Sequence, residues 1–163
     1  MPFTQFHLGF GLFLGILLYR YLDFPTFILA NLIVDLRAGL VFFDLVPGKR
    51  SVILHSYLGS VPVIFLLAVT MIYTRKYIKT PDQGYSKTSI TLASFSGVYL
   101  HVFLDSFTHP DMMPFYPLGF KPFYGVFSAS QLELISIVLL IASVALASRK
   151  FDLLKNLEGK ISI

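Results

Sequence analysis

The chain contains no cysteine and no tryptophan. Because cysteine is absent, disulfide bonds and thiolate ligands are excluded, and any metal ion must be held by nitrogen and oxygen atoms. Because tryptophan is absent, anchoring at a membrane–water boundary would depend on tyrosine and phenylalanine, of which the sequence has 9 and 17. The absence of cysteine does not show whether the protein works in an oxidising or a reducing compartment, but it limits the ligands of any metal site.

Charged residues are also scarce. They make up 13% of the 163 residues, about half the share found in a typical water-soluble domain, whereas hydrophobic residues make up 55%. This imbalance predicts an integral membrane protein with one domain. The net charge of +4 is not gathered into a basic stripe or an RNA-binding motif, so we expect no nucleic-acid partner.

Five apolar segments predict the fold class. Each has roughly 17 to 22 residues, the length at which a helix crosses the hydrocarbon core of a bilayer. Since lipid offers the backbone no hydrogen-bond partners, each crossing segment should be helical. The sequence therefore predicts an all-α protein, an integral membrane bundle of about five transmembrane helices within residues 1–150, and a short cytoplasmic tail over 151–163. The expected spans are about 6–22, 25–46, 52–73, 89–107 and 131–148.

The distribution of lysine and arginine predicts the orientation in the inner or plasma membrane. Five crossings put the two termini on opposite sides, and the C-terminal side collects most of the positive charge. By the positive-inside rule that side is cytoplasmic, and the N-terminus lies outside. The positive residues expected inside are Arg20, Arg75, Lys76, Lys79, Lys87, Arg149, Lys150, Lys155 and Lys160, against Lys49, Arg50 and Lys121 outside.

Histidines and aspartates within or beside these apolar segments indicate a metal centre. An ionisable group in hydrocarbon costs at least a few kcal/mol unless another group compensates it. The topology, which rests on lysine and arginine alone, gathers most of these residues at the outer end of the bundle. They are His7, His55, His101, Asp105, His109 and Asp111, with Asp35 expected deeper, near the middle of the second helix.

The spacing of two of these residues suits a shared ligand role. His101 and Asp105 are four residues apart, so on a helix they share one face and can hold one metal ion together. His109 extends this stripe only if the helix continues, and Pro110 disfavours helical geometry there. Asn31 lies four residues before Asp35 and could orient that carboxylate or a ligand water.

Simpler roles remain open for several of these residues when each is taken alone. Asp35 and Arg37 do not face each other on a helix, so a buried salt bridge of Arg37 would be with another acid. The other simple roles are an interfacial side chain for His7, a pair with His101 for Asp105, and a turn for Asp111.

Four stretches of the sequence together resemble a known family. They are residues 1–11, Asn31-x-x-x-Asp35, His55-Ser56 and His101-x-x-x-Asp105-x-x-x-His109-Pro110-Asp111. They resemble the membrane-bound, metal-dependent hydrolases, whose bacterial members include the LexA-regulated inner-membrane hydrolase, over about residues 1–125. The order of the residues is also similar, more weakly, to the ligand order of zinc-dependent phospholipase C.

The resemblance implies a metal-dependent hydrolase and leaves the substrate open. Arg37 stands where family members often have a second acid, Arg50-Ser51 stands where many have an extra histidine, and the phospholipase's further His-x-x-x-Glu motif is missing. These departures favour one tightly held metal ion over a cluster of several. The core ligands that the resemblance implies are Asp35, His55, His101 and Asp105, with His7 nearby.

The donor set predicts both the metal and its chemistry. Nitrogen and oxygen ligands suit Zn²⁺, with Mn²⁺ or Fe²⁺ as alternatives. A catalytic zinc keeps one position for water, whose pKa it lowers toward ~7. We expect Asp111 or Asp105 to accept the proton of this water and His109 to donate one to the leaving group. Arg37 would balance the charge of an anionic substrate, or else form a buried salt bridge.

Prolines and aromatic residues are concentrated in residues 112–127. Prolines limit helix formation, and aromatic side chains suit the headgroup boundary of a membrane. We expect this loop to pack over the site as a lid or as the wall of a lipid entrance, or to be a structured cap without a catalytic part. The location favours membrane lipids as partners and a lipid or lipid-linked phosphoester as substrate.

Two other functions compete with a hydrolase. Histidine and aspartate inside a membrane often mark ion pathways, which would fit a metal-ion or proton transporter. A transporter needs polar steps on both sides, however, and the cytoplasmic halves of these helices look almost wholly apolar. The other alternative is a non-catalytic structural membrane protein in which the polar cluster only fastens helices together.

Overall fold

The computed structural model describes residues 5–36, 39–40, 53–77 and 86–161. Within these ranges the chain forms five helices and no strands, which confirms the all-α fold class. The helices are α1 (Gln5–Leu17), α2 (Phe24–Ile33), α3 (Val61–Thr74), α4 (Lys87–Thr108) and α5 (Ala129–Ile161).

Two of the described helices are long and apolar enough to cross a membrane. They are α4 and the Ala129–Arg149 part of α5. The helices α1, α2 and α3 are apolar but have only 13, 10 and 14 residues. At 1.5 Å per residue they measure about 15 to 21 Å, less than the ~30 Å of a hydrocarbon core. The expected total of five crossings therefore stays a prediction.

The second and third predicted spans differ most from the described helices. The helix α2 ends at Ile33, and Asp35 lies in the turn that follows rather than at mid-helix. In that turn the Asp35 main-chain N–H bonds to the carbonyl of Leu32, a tighter pattern than that of an α-helix. The end of the predicted span, residues 41–46, lies outside the described residues.

Before α3, residues 53–60 form turns, so His55 precedes its helix instead of opening it. The hydroxyl of Ser56 donates to the carbonyl of Ile53 at 2.7 Å and accepts from the main-chain N–H of Gly59 at 3.0 Å. Such local bonds compete with helical hydrogen bonds and favour turns. The helix begins only at Val61, with proline in its first turn.

Side-chain caps define the starts of two other helices. Asp23 accepts from the main-chain N–H of Thr26 at 3.1 Å at the start of α2, where Pro25 occupies the first turn. Ser86 accepts from the main-chain N–H of Ser89 at the start of α4. Each cap satisfies a helix N–H group that has no partner within its own helix.

The helices pack around a core on one side of α4. The helices α2 and α3 pack against α4, while α1 packs against α2 and α5. Buried apolar side chains fill the space between α2, α3 and α4, whereas the outer faces of α3 and α5 are apolar and exposed, as lipid-facing surfaces are. The core includes Ala30, Val34, Ile64, Leu67, Met71, Ile90 and Val98.

A buried ion pair lies at the end of the bundle where α1 connects to α2. The guanidinium Nε of Arg75 donates to a carboxylate oxygen of Asp23 at 2.7 Å, and both side chains are almost fully buried. This pair places buried charge at the ends of α2 and α3, next to helix halves that the sequence predicts to be almost wholly apolar. The sequence places Arg75 only among the positive residues expected inside, because nothing in its local pattern shows that it pairs with Asp23.

Candidate metal centre

The first two candidate ligands lie near the end of α4. His101 and Asp105 are one helical turn apart and share a face, as the spacing predicts. Both are buried, with side chains 0% and 4% exposed. The Nε2 atom of His101 lies 3.6 Å from Oδ2 of Asp105. The helix thus presents an imidazole and a carboxylate side by side in a water-poor interior.

The main chain of α2 fixes the orientation of the His101 ring. Nδ1 of His101 donates a 2.8 Å hydrogen bond to the carbonyl oxygen of Asn31, since a carbonyl can only accept. Nδ1 therefore carries a proton, and Nε2 is the nitrogen directed toward the carboxylates. This is the usual arrangement of a metal-binding histidine, whose second nitrogen bonds to a carbonyl or carboxylate.

The side chain of Asn31 makes no bond to Asp35, the carboxylate that the sequence suggests it could orient. Its amide is buried and makes no hydrogen bond with the described residues, whereas its main-chain carbonyl holds His101. The sequence singled out Asn31 for its amide, and no sequence signal could have shown that the backbone is the group in use.

Two further candidate ligands lie in the turns around α2 and α3. Nε2 of His55 lies 3.3 Å from Oδ1 of Asp35, and Nε2 of His101 lies 3.5 Å from the same oxygen. His55 is buried, and the side chain of Asp35 is 16% exposed. The turn that holds His55 is tied to the loop after α4, because the Tyr57 main-chain N–H donates to the carbonyl of Pro114 at 2.9 Å.

These four residues form one group that could hold a metal ion. Asp35, His55, His101 and Asp105 each offer one donor atom, and all four donor atoms lie within 4.8 Å of one another. In a tetrahedral zinc site with bonds of about 2.1 Å, donors are about 3.4 Å apart. The separations from His55 to Asp35, from His101 to Asp35 and from His101 to Asp105 are 3.3, 3.5 and 3.6 Å, whereas His55 to Asp105 is longer, at 4.0 Å.

The electrostatics of the group also suit a cation. Nε2 of His101 is buried, has no hydrogen bond among the described residues and faces two carboxylates. A lone pair beside two negative charges is repulsive unless a second ring proton or a cation supplies positive charge. Burial of charged groups without such compensation costs several kcal/mol.

His7 lies beside this group without belonging to it. Its ring stacks on the ring of His101, with centroids 4.0 Å apart and an angle of 19° between the planes. Its Nε2 lies 3.3 Å from Oδ1 of Asp105, the carboxylate oxygen on the other side from His101. His7 was predicted as a ligand of the same ion, and the structure places it next to a different oxygen of the shared carboxylate.

The three residues predicted to act on protons and substrate have different positions. His109 ends α4 in extended backbone, as Pro110 predicts, and its Nδ1 lies 3.5 Å from Oδ1 of Asp105. Asp111 lies in the exposed turn that follows and is not a member of the four-residue group. Arg37 lies outside the described residues, so its role stays a prediction.

The aromatic loop is fastened to the same end of α4. Phe123 contacts the rings of Phe103 and Phe107, and the Gly125 main-chain N–H donates to the carbonyl of Phe107 at 3.0 Å. The ammonium group of Lys121 donates to the carbonyl of Pro110, beside His109. The loop therefore lies at the site end of the bundle, as expected, while a lid role stays a prediction.

Comparison with known proteins places the chain in a family. A family model described as YdjM inner membrane protein matches residues 3–157. No curated protein and no solved structure matches the chain. The match covers nearly the whole sequence, including every candidate ligand and both helices long enough to cross a membrane. The chain therefore belongs to the YdjM inner membrane protein family.

Proposed function

We propose that the protein is a membrane-embedded, metal-dependent hydrolase that acts on a lipid or lipid-linked phosphoester at the extracytoplasmic side. The observation that carries this proposal is the group of Asp35, His55, His101 and Asp105 in an inner membrane protein. Two acids and two histidines from three segments of the chain, held within 4.8 Å of one another, are a costly arrangement for a site with only a structural role.

Zn²⁺ is the metal that the donors suit best, with Mn²⁺ or Fe²⁺ as alternatives. The site has two imidazole nitrogens, two carboxylates and no sulfur, and three of its donor separations, 3.3, 3.5 and 3.6 Å, are close to those of a tetrahedral site. When bound, such a metal polarises the ester oxygen and supplies a nucleophile by lowering the pKa of water.

The residues around the group would supply the proton transfers. His109 lies at the edge of the group with its side chain 15% exposed, so it can reach both the carboxylate of Asp105 and a substrate. We assign it the donation of a proton to the leaving group. Asp111, in the exposed turn, or Asp105 would accept the proton of the attacking water.

Positive side chains would bind the anionic part of the substrate. Arg37 is assigned this role from the sequence alone, because a guanidinium group matches the geometry of phosphate. Lys121 is a described cation at the same end, held beside His109 by its bond to Pro110. Exposed aromatic and apolar side chains of the surrounding loop, such as Phe120, would lie among lipid headgroups and admit a lipid from the outer leaflet.

A transport path through the bundle has less support. The polar group at the opposite end, Asp23 with Arg75, is a buried and mutually satisfied pair. Between the two ends α2 and α4 are in close contact at Ala30 and Gly97, where the backbones leave no room for a side chain. A hydrolase needs access from one end only, which agrees with this packing.

The experiment that tests the proposal is a hydrolysis screen. The full chain, purified in detergent and loaded with Zn²⁺ or Mn²⁺, would be offered phospholipids, lipid-linked phosphates and ester lipids in mixed micelles. We expect metal-dependent release of a headgroup or phosphate. Asp105→Asn should lower its rate by more than ~100-fold, because loss of a residue that only hydrogen-bonds to a metal ligand already lowers metal affinity or activity about 10- to 100-fold. Glu133→Gln removes an exposed acid on α5 and should keep full activity. A metal-loaded protein inactive on all three classes would refute the proposal.

A further inference from the structure

The two oxygens of the Asp105 carboxylate face different sets of histidines. Oδ2 lies 3.6 Å from Nε2 of His101 and 4.0 Å from Nε2 of His55, within the four-residue group. Oδ1 lies 3.3 Å from Nε2 of His7 and 3.5 Å from Nδ1 of His109. A carboxylate with imidazole nitrogens beside both oxygens can bridge two cations, one at each oxygen.

The stacking of His7 on His101 is a second observation that fits a site for two metal ions. The two rings are nearly parallel, with centroids 4.0 Å apart, and each directs Nε2 to a different oxygen of Asp105. Metal ions in two-metal sites are about 3.5–4 Å apart. Two stacked imidazoles at this spacing can therefore each bind one ion of such a pair.

Apart from the approach of Nε2 to Asp105, the ring nitrogens of His7 have no partner among the described residues. The side chain is 4% exposed, and neither Nδ1 nor Nε2 makes a hydrogen bond with the described residues. A buried imidazole whose two nitrogens are unsatisfied is unfavourable. Binding of a cation at Nε2 would remove part of this cost and separate the lone pair of Nε2 from the carboxylate.

We propose that the site binds two metal ions bridged by Asp105, the second ion held by His7 and Oδ1 of Asp105. This inference rests on the proposed metal centre and extends it, since the sequence favours a single ion. His109 keeps its proposed role as proton donor and is not counted among the ligands of the second ion, because its Nδ1 is also 3.3 Å from the Asp105 carbonyl oxygen and 3.1 Å from the Thr108 hydroxyl. With fewer protein ligands, the second ion binds more weakly than the first and leaves positions open for an anionic substrate.

The test measures metal content and the coupling between ions. The full chain would be titrated with Mn²⁺ alone, and bound metal counted by mass spectrometry. We expect about two ions per chain at saturation, with electron paramagnetic resonance showing a spin-coupled pair. The variant His7→Phe keeps a ring to stack on His101 but has no nitrogen, and should bind about one ion, with the spectrum of an isolated Mn²⁺.

Controls make each outcome decisive. Leu8→Phe places the same ring on the exposed face of α1 and should keep both ions. Retention of the tight ion shows that His7→Phe is folded, and His7→Gln serves if His7→Phe is not. Wild-type protein that saturates at one ion, or a His7→Phe variant that keeps both, would overturn the inference. Hydrolysis by protein that binds a single ion would overturn the inference and leave the proposed function intact. A spin-coupled pair of ions without hydrolysis would reject only the proposed function.

Discussion

A Cβ atom at Gly97 would lie 2.6 Å from Cβ of Ala30, closer than real side chains approach. The same atom would lie 2.7 Å from the main-chain oxygen of Phe27. The absence of a side chain at Gly97 is thus what allows α4 to lie directly on α2. One turn further along α4 and one residue further along α2, this contact brings Nδ1 of His101 to the carbonyl of Asn31.

Substitution of Gly97 by valine should therefore loosen the metal centre from a distance. The added side chain would push α2 away from α4 and cost about 1–3 kcal/mol, as overpacking of a core does. It would also break the bond that orients His101, and loss of such a bond lowers metal affinity about 10- to 100-fold. Thermal unfolding and Zn²⁺ titration of the purified variant would measure the two effects.

The matched control is Leu92→Val, which places the same side chain on the exposed face of α4. It should leave both the unfolding temperature and the Zn²⁺ affinity close to those of the wild type. If Gly97→Val destabilises the protein but binds Zn²⁺ normally, the contact of α2 with α4 does not position His101.

The ligands themselves give a second prediction. His101→Ala and Asp105→Asn should each remove the metal and the activity together, because each residue contributes a donor to the four-residue group. Metal content measured after dialysis against a weak chelator would show the loss. Full metal occupancy in either variant would mean that the ligand assignment is wrong.

Sequence reasoning located the candidate site better than it located the helices. The pair His101 and Asp105 could be found because a four-residue spacing fixes a shared helix face. The positions of Asp35 and His55 depend on where α2 ends and where α3 begins. Those limits are set by turns, in which serine hydroxyls bond to nearby main-chain groups, and apolar composition does not show them.

The contacts between segments that are distant in sequence were beyond prediction. Nothing local shows that His7 stacks on His101, or that Arg75 turns inward to Asp23. Such pairs result from the packing of whole helices, whose relative rotation is not encoded in any one segment. The apolar composition predicted a membrane protein, but the sequence of a helix that is apolar on all faces does not show which face is buried.

The buried pair of Asp23 and Arg75 gives a third prediction. Arg75→Met would leave the Asp23 carboxylate buried without its guanidinium and should destabilise the fold by about 3–5 kcal/mol. The double variant with Asp23→Asn should recover part of this loss, since asparagine is neutral and still caps α2 through Thr26. Chemical denaturation in detergent would compare the variants.

The same variants should leave the metal centre unchanged. The main-chain N–H of Asp23 bonds to the carbonyl of Ser89, and from Ser89 to Asp105 is about 24 Å along α4. Zn²⁺ affinity equal to that of the wild type is therefore expected at temperatures where the variants remain folded. A selective loss of Zn²⁺ binding would instead show that the two ends of α4 are coupled.

The fourth prediction concerns orientation, and the absence of cysteine makes it simple to test. Single cysteines can be introduced at two exposed positions, Gly119 in the aromatic loop and Lys76 after α3, without any background thiol. If the site end faces outward, a membrane-impermeant maleimide should label Gly119→Cys in intact cells. Lys76→Cys should be labelled only after the membrane is opened, because the positive-inside rule places it in the cytoplasm. The reverse pattern would put the metal centre on the cytoplasmic side, and the substrate would then have to come from the inner leaflet.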